Sequence, residues 1–511
     1  MIIPSGQRTL FGGLAIVAAA GGAWVAVHYH QLGLTLSHYD ARGHLVVARR
    51  IVDSLTPGWQ QTGAVWLPLP HLLNAIPVQV DAWYRTGASA VAISVAAFAV
   101  AVVAIARIIR RLTGSTAACV AGAAVFALNP NVLYLQATPM TEPLLLALAT
   151  LAVALLLEWC DTAPPWSPTS GGPIRLKPDP TRLEPDPTIV GVVFALACWT
   201  RYEAWPVTAS ALAVAVWARW RRGESFSLAS RRVGAIAVFP VLAIAGFAAF
   251  SRVVVGEWFT TGGFFVPENK ALGDPVMAAA EMWWGMLELS GPLLTAIAVA
   301  GMATILLMGF SARQRASMVV ALALVAAAAV PWVAFFDGHP FRIRYMVPLI
   351  AMQAIAVGTA TLLLPRWRLI GALVVLSVAA YELRPLDHQA PMVVEAQWDL
   401  PNVPVRDQVT TCLGAPRPGQ KIMASMGSLG HYMQQASRAG FELRDFLHEG
   451  NGDIWLAALG QGPRPFVDWI LIEEKAEGGD MLAERARQDP HFLDGYSRAC
   501  EGAGLALYRR D

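Results

Sequence analysis

A carboxylate stands at Asp40, inside Tyr39-Asp40-Ala41-Arg42-Gly43-His44, soon after the first long apolar run. A positioned carboxylate can remove the proton from a hydroxyl or amine as that group attacks. Aspartate is also a favoured helix cap, and residues from Ala41 onward read as helical, so capping is the competing reading. A second carboxylate, Glu142, lies between Pro139 and Pro143, at the end of a stretch that opens with Asn129-Pro130. Irregular backbone at membrane depth is tolerated where it lines a cavity. Glu142 would there orient an acceptor or bind a metal; the alternative is first-turn charge at a helix N-terminus. Asp40 and Glu142 could share a divalent cation, Mg²⁺ or Mn²⁺, although Mg²⁺ sites recruit substrate phosphate and water as well.

Two basic constellations accompany the acids. Arg201-Tyr202-Glu203 interrupts two apolar runs, and Phe341-Arg342-Ile343-Arg344-Tyr345 places two arginines two residues apart. Guanidinium forks match phosphate geometry, so each reads as a phosphate clamp, with an internal Arg201–Glu203 pair as the alternative for the first. His44 and His339 can neutralise phosphate or donate protons. Arg42, His44, Arg201, Tyr202, Glu203, His339, Arg342, Arg344 and Tyr345 make up the candidate substrate-binding set; Asp40 and Glu142 are the candidate catalytic pair and the candidate metal ligands.

The elements that must position these residues are membrane helices. Only 14% of the chain is charged and 55% is hydrophobic, against roughly 25% charged in soluble domains. A span needs about 20 apolar residues. Segments 9–30, 87–108, 115–130, 139–158, 189–201, 204–218, 233–254, 291–310, 316–336, 345–364 and 368–384 read as about eleven spans, of which the fifth and sixth are short and separated by a break from Trp199 to Pro206. Arginines cluster at 107–111, 219–232, 313–315 and 366–368. The positive-inside bias makes these loops cytoplasmic, with the N-terminus inside and residues from about 385 onward outside. No cleavable signal peptide is expected. A net charge of +2 gives no reason to expect nucleic acid as a partner. The tandem heptad over 175–188, rich in proline, reads as an extended cytoplasmic linker. The segment 256–290, with Trp258, Phe264, Phe265, Trp283 and Trp284, reads as a loop carrying an interfacial aromatic belt.

The expected organisation is a membrane part over 1–385 and a small external α/β domain over 386–511. In that domain strands are predicted at 421–425, 466–473 and 504–509, with a helix at 428–438. No two of the five cysteines are spaced CxxC. Cys412 and Cys500 can pair if their domain is outside.

The unexplained polar residues fall on one side. Asp40, Arg42, His44, Trp66, His71, Thr141, Glu142, Arg201, Glu203, His339, Arg342 and Arg344 all map to external loops, which points to a shared cavity. A transporter or flippase of lipid-linked saccharides, or a non-catalytic scaffold, are the other classes open to such a chain.

These motifs, in this order and on one side, resemble the GT-C superfamily. The likeness is to the protein O-mannosyltransferase and aminoarabinose-transferase branch, glycosyltransferase family 39-like. It covers about residues 8–385. It rests on Tyr39-Asp40 after the first span, Asn129-Pro130 through Thr141-Glu142-Pro143, Arg201-Tyr202-Glu203 and Arg342-Ile343-Arg344-Tyr345. The resemblance implies an inner (plasma) membrane enzyme of the cell envelope. It implies a polyprenyl-phosphate sugar donor, an inverting single displacement, and an acidic residue of the first external loop as base, a place that Asp40 occupies. The acceptor it implies is a lipid, a glycan or a protein. The chain departs from the protein mannosyltransferases in having no Asp-Glu pair after the first span and no repeat-barrel domain. Trp283-Trp284 is followed by Gly285, unlike the Trp-Trp-Asp signature of oligosaccharyltransferases.

Overall fold

A computed structural model describes residues 5–161, 185–258, 269–475 and 479–511. Most of the expected proline-rich linker, 175–184, and residues 259–268 with Phe264 and Phe265 lie outside these. The first helix, α1 (Ser5–Gln31), is apolar on every side. It leads into a segment of short helices, α2 (Tyr39–Arg49), α3 (Leu69–Asn74) and α4 (Asp81–Thr86). Then follow α5 (Ala88–Thr113), α6 (Thr116–Ala127), α7 (Pro130–Leu135), α8 (Glu142–Asp161), α9 (Pro187–Cys198), α10 (Ala204–Arg222) and α11 (Phe226–Val254). The membrane part closes with α12 (Pro275–Ser290), α13 (Pro292–Ser311), the helical segment α14 (Arg313–Phe336), the helical segment α15 (Ile343–Leu363) and α16 (Arg368–Glu382).

Helices stand at all eleven positions expected to span. Seven, namely α1, α5, α8, α11, α13, α14 and α15, are long and apolar enough to cross a membrane. Among the others, α6 and α9 have 12 residues each, or roughly 18 Å at 1.5 Å per residue, short of a hydrocarbon core of about 30 Å. The break after α6 has a local cause. Asn129 caps α7, its side chain accepting from the amides of Asn131 and Val132, and Pro130 takes the first helical position. The segment read as an aromatic loop over 256–290 is corrected: its second half is α12, capped by Asp274 with Pro275 at the first position. It carries Trp283 and Trp284, both about half exposed.

The C-terminal domain contains α17 (Pro391–Glu395), α18 (Val403–Leu413) and α19 (Met426–Ala436) around a five-stranded sheet. The strands are β1 (Ile422–Ala424), β2 (Phe446–Leu447), β3 (Trp469–Glu473), β4 (Tyr496–Gly502) and β5 (Leu505–Arg510), in the order β2-β1-β3-β5-β4. β1 runs parallel to β2 and β3; β5 is antiparallel to β3 and β4. Three of these strands match the predicted ones. β2 has two residues, and β4 is a largely exposed edge strand, so neither leaves an apolar run to read. A disulfide joins Cys412 to Cys500, tying α18 to the edge strand.

Helix α2 does not stand apart from this domain. Leu45, Val46 and Ala48 are wholly buried in one apolar cluster with Val409, Tyr432, Phe446 and Leu471. Every residue of α2 from Asp40 to Arg49 is buried, so the helix is wedged between the membrane part and the C-terminal sheet.

Candidate active site

His38 caps α2: its Nδ1 accepts from the Asp40 amide at 3.1 Å. Asp40 is therefore the second residue of the helix and not its cap, which leaves its carboxylate free for another partner. That partner is Arg344, at the start of α15; its Nη1 contacts Asp40 Oδ2 directly. Both side chains are buried. Burial alone would raise the Asp40 carboxyl; the Arg344 charge and hydrogen bond outweigh it and hold the group below the usual carboxylate range. Arg344 Nε has no hydrogen-bond partner.

A cavity of about 200 Å³ opens in front of this pair. It is lined by Asp40 and His44 from α2, by Trp66 and His71 from the segment that follows it, by Arg201, Tyr202 and Glu203, and by Arg344 and Tyr345. His44 lies one helical turn after Asp40 and hence on the same face. Its Nδ1 is 3.0 Å from His71 Nε2, and its ring sits 4.1 Å from that of Trp66. Burial pushes the His44 imidazole down to about 3, helped by Arg201 and Arg344. Burial lowers His71 as well. Both are neutral at ordinary pH, and their exchangeable hydrogens are hydrogen-bonding groups, not counter-charges.

Arg201 organises the opposite wall. Its Nη2 meets Glu203 at 2.8 Å, its Nη1 meets Glu142 at 2.9 Å, and Nη1 also donates to Thr141 Oγ1 at 3.1 Å. Glu142 is fully buried, and apart from this ion pair neither oxygen has a hydrogen-bond partner. Arg201 thus serves two buried carboxylates already, one of them through the internal Arg201–Glu203 pair set against a phosphate fork. The same pairing bears on a metal. Asp40 faces one arginine and Glu142 another, and among the described residues no group of three His, Cys, Asp or Glu side chains stands close enough to hold an ion. This donor set does not fit Mg²⁺ or Mn²⁺ shared by Asp40 and Glu142.

Of the candidate set, the cavity gathers Asp40, His44, Arg201, Tyr202, Glu203, Arg344 and Tyr345, with Glu142 behind Arg201. It does not gather Arg42, His339 or Arg342. Arg42 turns to the C-terminal domain and pairs with Asp399 at 2.7 Å, away from the cavity. The His339 imidazole lies behind Tyr345, with Nε2 3.2 Å from the phenol oxygen.

Several solved structures share this architecture, while no protein-family model and no curated protein matches the chain. ArnT from Cupriavidus metallidurans in the apo state aligns with a TM-score of 0.55 at 13% identity, over 96% of this chain and 98% of that one. The same protein bound to undecaprenyl phosphate aligns at 0.53 and 12%, over 99% of this chain and 98% of that one. The apo oligosaccharyltransferase of Archaeoglobus fulgidus aligns at 0.53 and 11%, over 96% of this chain and 73% of that one. The chain has the fold of these ArnT and oligosaccharyltransferase structures. At such identities the likeness is one of fold, and the chemistry has to be argued from the side chains.

Within this fold three residues went without a role in the sequence. Trp66 and His71 stand out only as external polar or aromatic residues, yet with His44 they form one wall of the cavity. Glu395, in α17, accepts the amide of Ile343 at 2.7 Å, between the two arginines of the Arg342–Arg344 stretch. Burial raises its carboxyl despite those arginines. No local spacing links residue 395 to residue 343. The Trp66 wall is tightly set: a Cβ added at Gly43 would lie 2.8 Å from Trp66 Cη2. Gly43→Ala is therefore expected to drive the indole off His44, at a cost of about 1–3 kcal/mol for an overpacked core site. Catalytic turnover should fall together with the thermal midpoint; wild-type values of both would show that the wall has slack.

Proposed function

We propose that this protein is an integral-membrane glycosyltransferase that moves a sugar from a polyprenyl-phosphate donor to an acceptor hydroxyl or amine by one inverting displacement. The observation that carries the reading is a buried, ionised Asp40 beside Arg344 at the edge of a cavity. In the proposed step the acceptor attacks the anomeric carbon and the carbon–oxygen bond to phosphate breaks. The acceptor proton passes to Asp40, and the lipid phosphate leaves as the anion. Attack from the face opposite the leaving group inverts the anomeric centre. Arg344 holds Asp40 ionised and offers its unpartnered Nε to donor phosphate. Arg201, Glu142 and Glu203 build the wall that orients the reactants. Trp66 and Tyr202 offer ring faces to the sugar.

Two observations support a lipid-linked donor. The ArnT structure with undecaprenyl phosphate has the same fold. A second cavity, about 250 Å³ and almost wholly apolar, lies between α12, α13, α14 and α15 and is lined by Met282, Trp283, Met286, Met302 and Met352. Arg344 and Met352 share α15, eight residues or about 12 Å apart along a helix, a separation suited to a phosphate and its first isoprene units. The acceptor is a lipid, a glycan or a protein; an Archaeoglobus fulgidus oligosaccharyltransferase structure with a tethered acceptor peptide gives one precedent in this fold. Active-site cavity and C-terminal domain are external in this reading, with the N-terminus in the cytoplasm.

The direct test is reconstitution in sealed vesicles with a radiolabelled polyprenyl-phosphate sugar and an envelope extract as acceptor. Label should leave the lipid fraction, matched by free polyprenyl phosphate. Passage of intact donor between leaflets, with no bond broken, would instead make the protein a flippase.

A further inference from the structure

Asp40 and Arg42 are two residues apart on α2, about 200° around a helix of 3.6 residues per turn. They face opposite ways. Asp40 looks into the cavity, and Arg42 looks into the C-terminal domain. There Arg42 Nη2 donates to Asp399 Oδ2 at 2.7 Å and Nη1 to Gln435 Oε1 at 3.2 Å. Asp399 is already matched within its own domain: Arg406 binds it through both Nη atoms, at 2.8 and 2.5 Å. Gln435 is likewise fixed inside the domain, its Nε2 donating to Val403 O at 2.9 Å and Asp407 Oδ1 at 2.6 Å. Arg42, Asp399, Arg406 and Gln435 are all buried.

The domain does not need Arg42 to neutralise Asp399. A second buried guanidinium on one carboxylate costs desolvation that the domain's own fold does not require. What Arg42 adds is a tie from α2 to the domain. A second tie closes the far end of the helix. Asp53 accepts from Arg49 Nε at 3.0 Å, and also from the amides of Leu443 and Arg444, both at 3.2 Å. Between these ties the apolar face of α2 is buried in the domain's core. The rotation and depth of α2 are therefore set by residues nearly four hundred positions away.

We infer that the C-terminal domain is the positioning element for Asp40, with Arg42, Asp399 and Arg406 as positioning residues that fix how α2 presents its carboxylate to Arg344. The inference rests on the reading of Asp40 as general base. It assigns residues 386–511 a part in assembling the active site, in place of service as a separate binding module.

Arg42→Met tests it, because this change leaves the Asp399–Arg406 pair whole. The purified full-length variant would be compared with wild type by transfer kinetics and by amide hydrogen exchange. The expected result is a kcat at least ten-fold lower, with KM for the lipid donor within two-fold. Amides of residues 41–49 should exchange faster, while β1 and β3 stay protected as in wild type. Arg42→Lys, which keeps one point of attachment, should recover part of the kcat. Unchanged exchange in α2 with unchanged kcat would overturn the inference, and so would loss of protection throughout the C-terminal domain. Faster exchange in α2 with full kcat would uphold the tie and defeat Asp40 as the base.

Discussion

Asp40→Asn is expected to reduce sugar transfer by about 10²- to 10⁴-fold, the range that a positioned general base contributes, while the protein still inserts and folds. Asparagine keeps the side chain's volume and can accept a hydrogen bond from Arg344, but it cannot take the acceptor proton. The substitution also has a stability cost. Breaking a buried ion pair from one side typically costs about 3–5 kcal/mol, because the remaining charge loses its partner. Arg344 is that remaining charge. Activity must therefore be read on protein whose folded fraction is known, by thermal melting beside the transfer assay. Wild-type turnover in well-folded Asp40→Asn would remove the mechanism altogether.

The pH dependence of the wild-type enzyme bears on the same pair. The Asp40 carboxyl is depressed in the folded protein, against about 3.9 for an unperturbed aspartate. Its contribution to stability is then complete above the unfolded value and is lost as pH falls through the lower folded one. Asp40 stays ionised across the neutral and mildly acidic range, and the acidic limb of kcat should not appear near pH 5–6 on its account. Taking Arg344 away removes the largest influence opposing burial, and the carboxyl should rise.

Much of this site could be read from the chain because charge is rare in a membrane protein. Asp40, Glu142, Arg201 and Arg344 stand out against long apolar runs, and the arginine-marked loops sort them to one side. The helix positions followed from the same apolar runs. Pairings were harder. Arg201 at residue 201 and Glu142 at residue 142 each suit several partners, and only the fold shows them to be each other's. Arg42 sits in the same motif as Asp40, so sequence proximity suggested a shared role, yet helical geometry sends the two side chains to opposite faces. Its partner, Asp399, is 357 residues away. α12 was missed for another reason: the two tryptophans of PVMAAAEMWWGMLELS read equally well as an interfacial belt. β4, with Tyr496 as its one buried residue, shows no apolar alternation.

Arg201→Gln should have the largest effect on stability. Glu142 and Glu203 are both buried, and Arg201 is the cation that faces each. Its loss leaves two carboxylates close together in a low-dielectric wall. Loss of one partner of a buried pair costs about 3–5 kcal/mol. The deficit should be read by thermal melting in detergent. Adding Glu142→Gln should restore part of it, because one of the two unpartnered carboxylates is then gone. A different result follows if Arg201 serves as a phosphate fork. The variant would then melt like wild type, and the change would appear as a raised KM for the lipid donor.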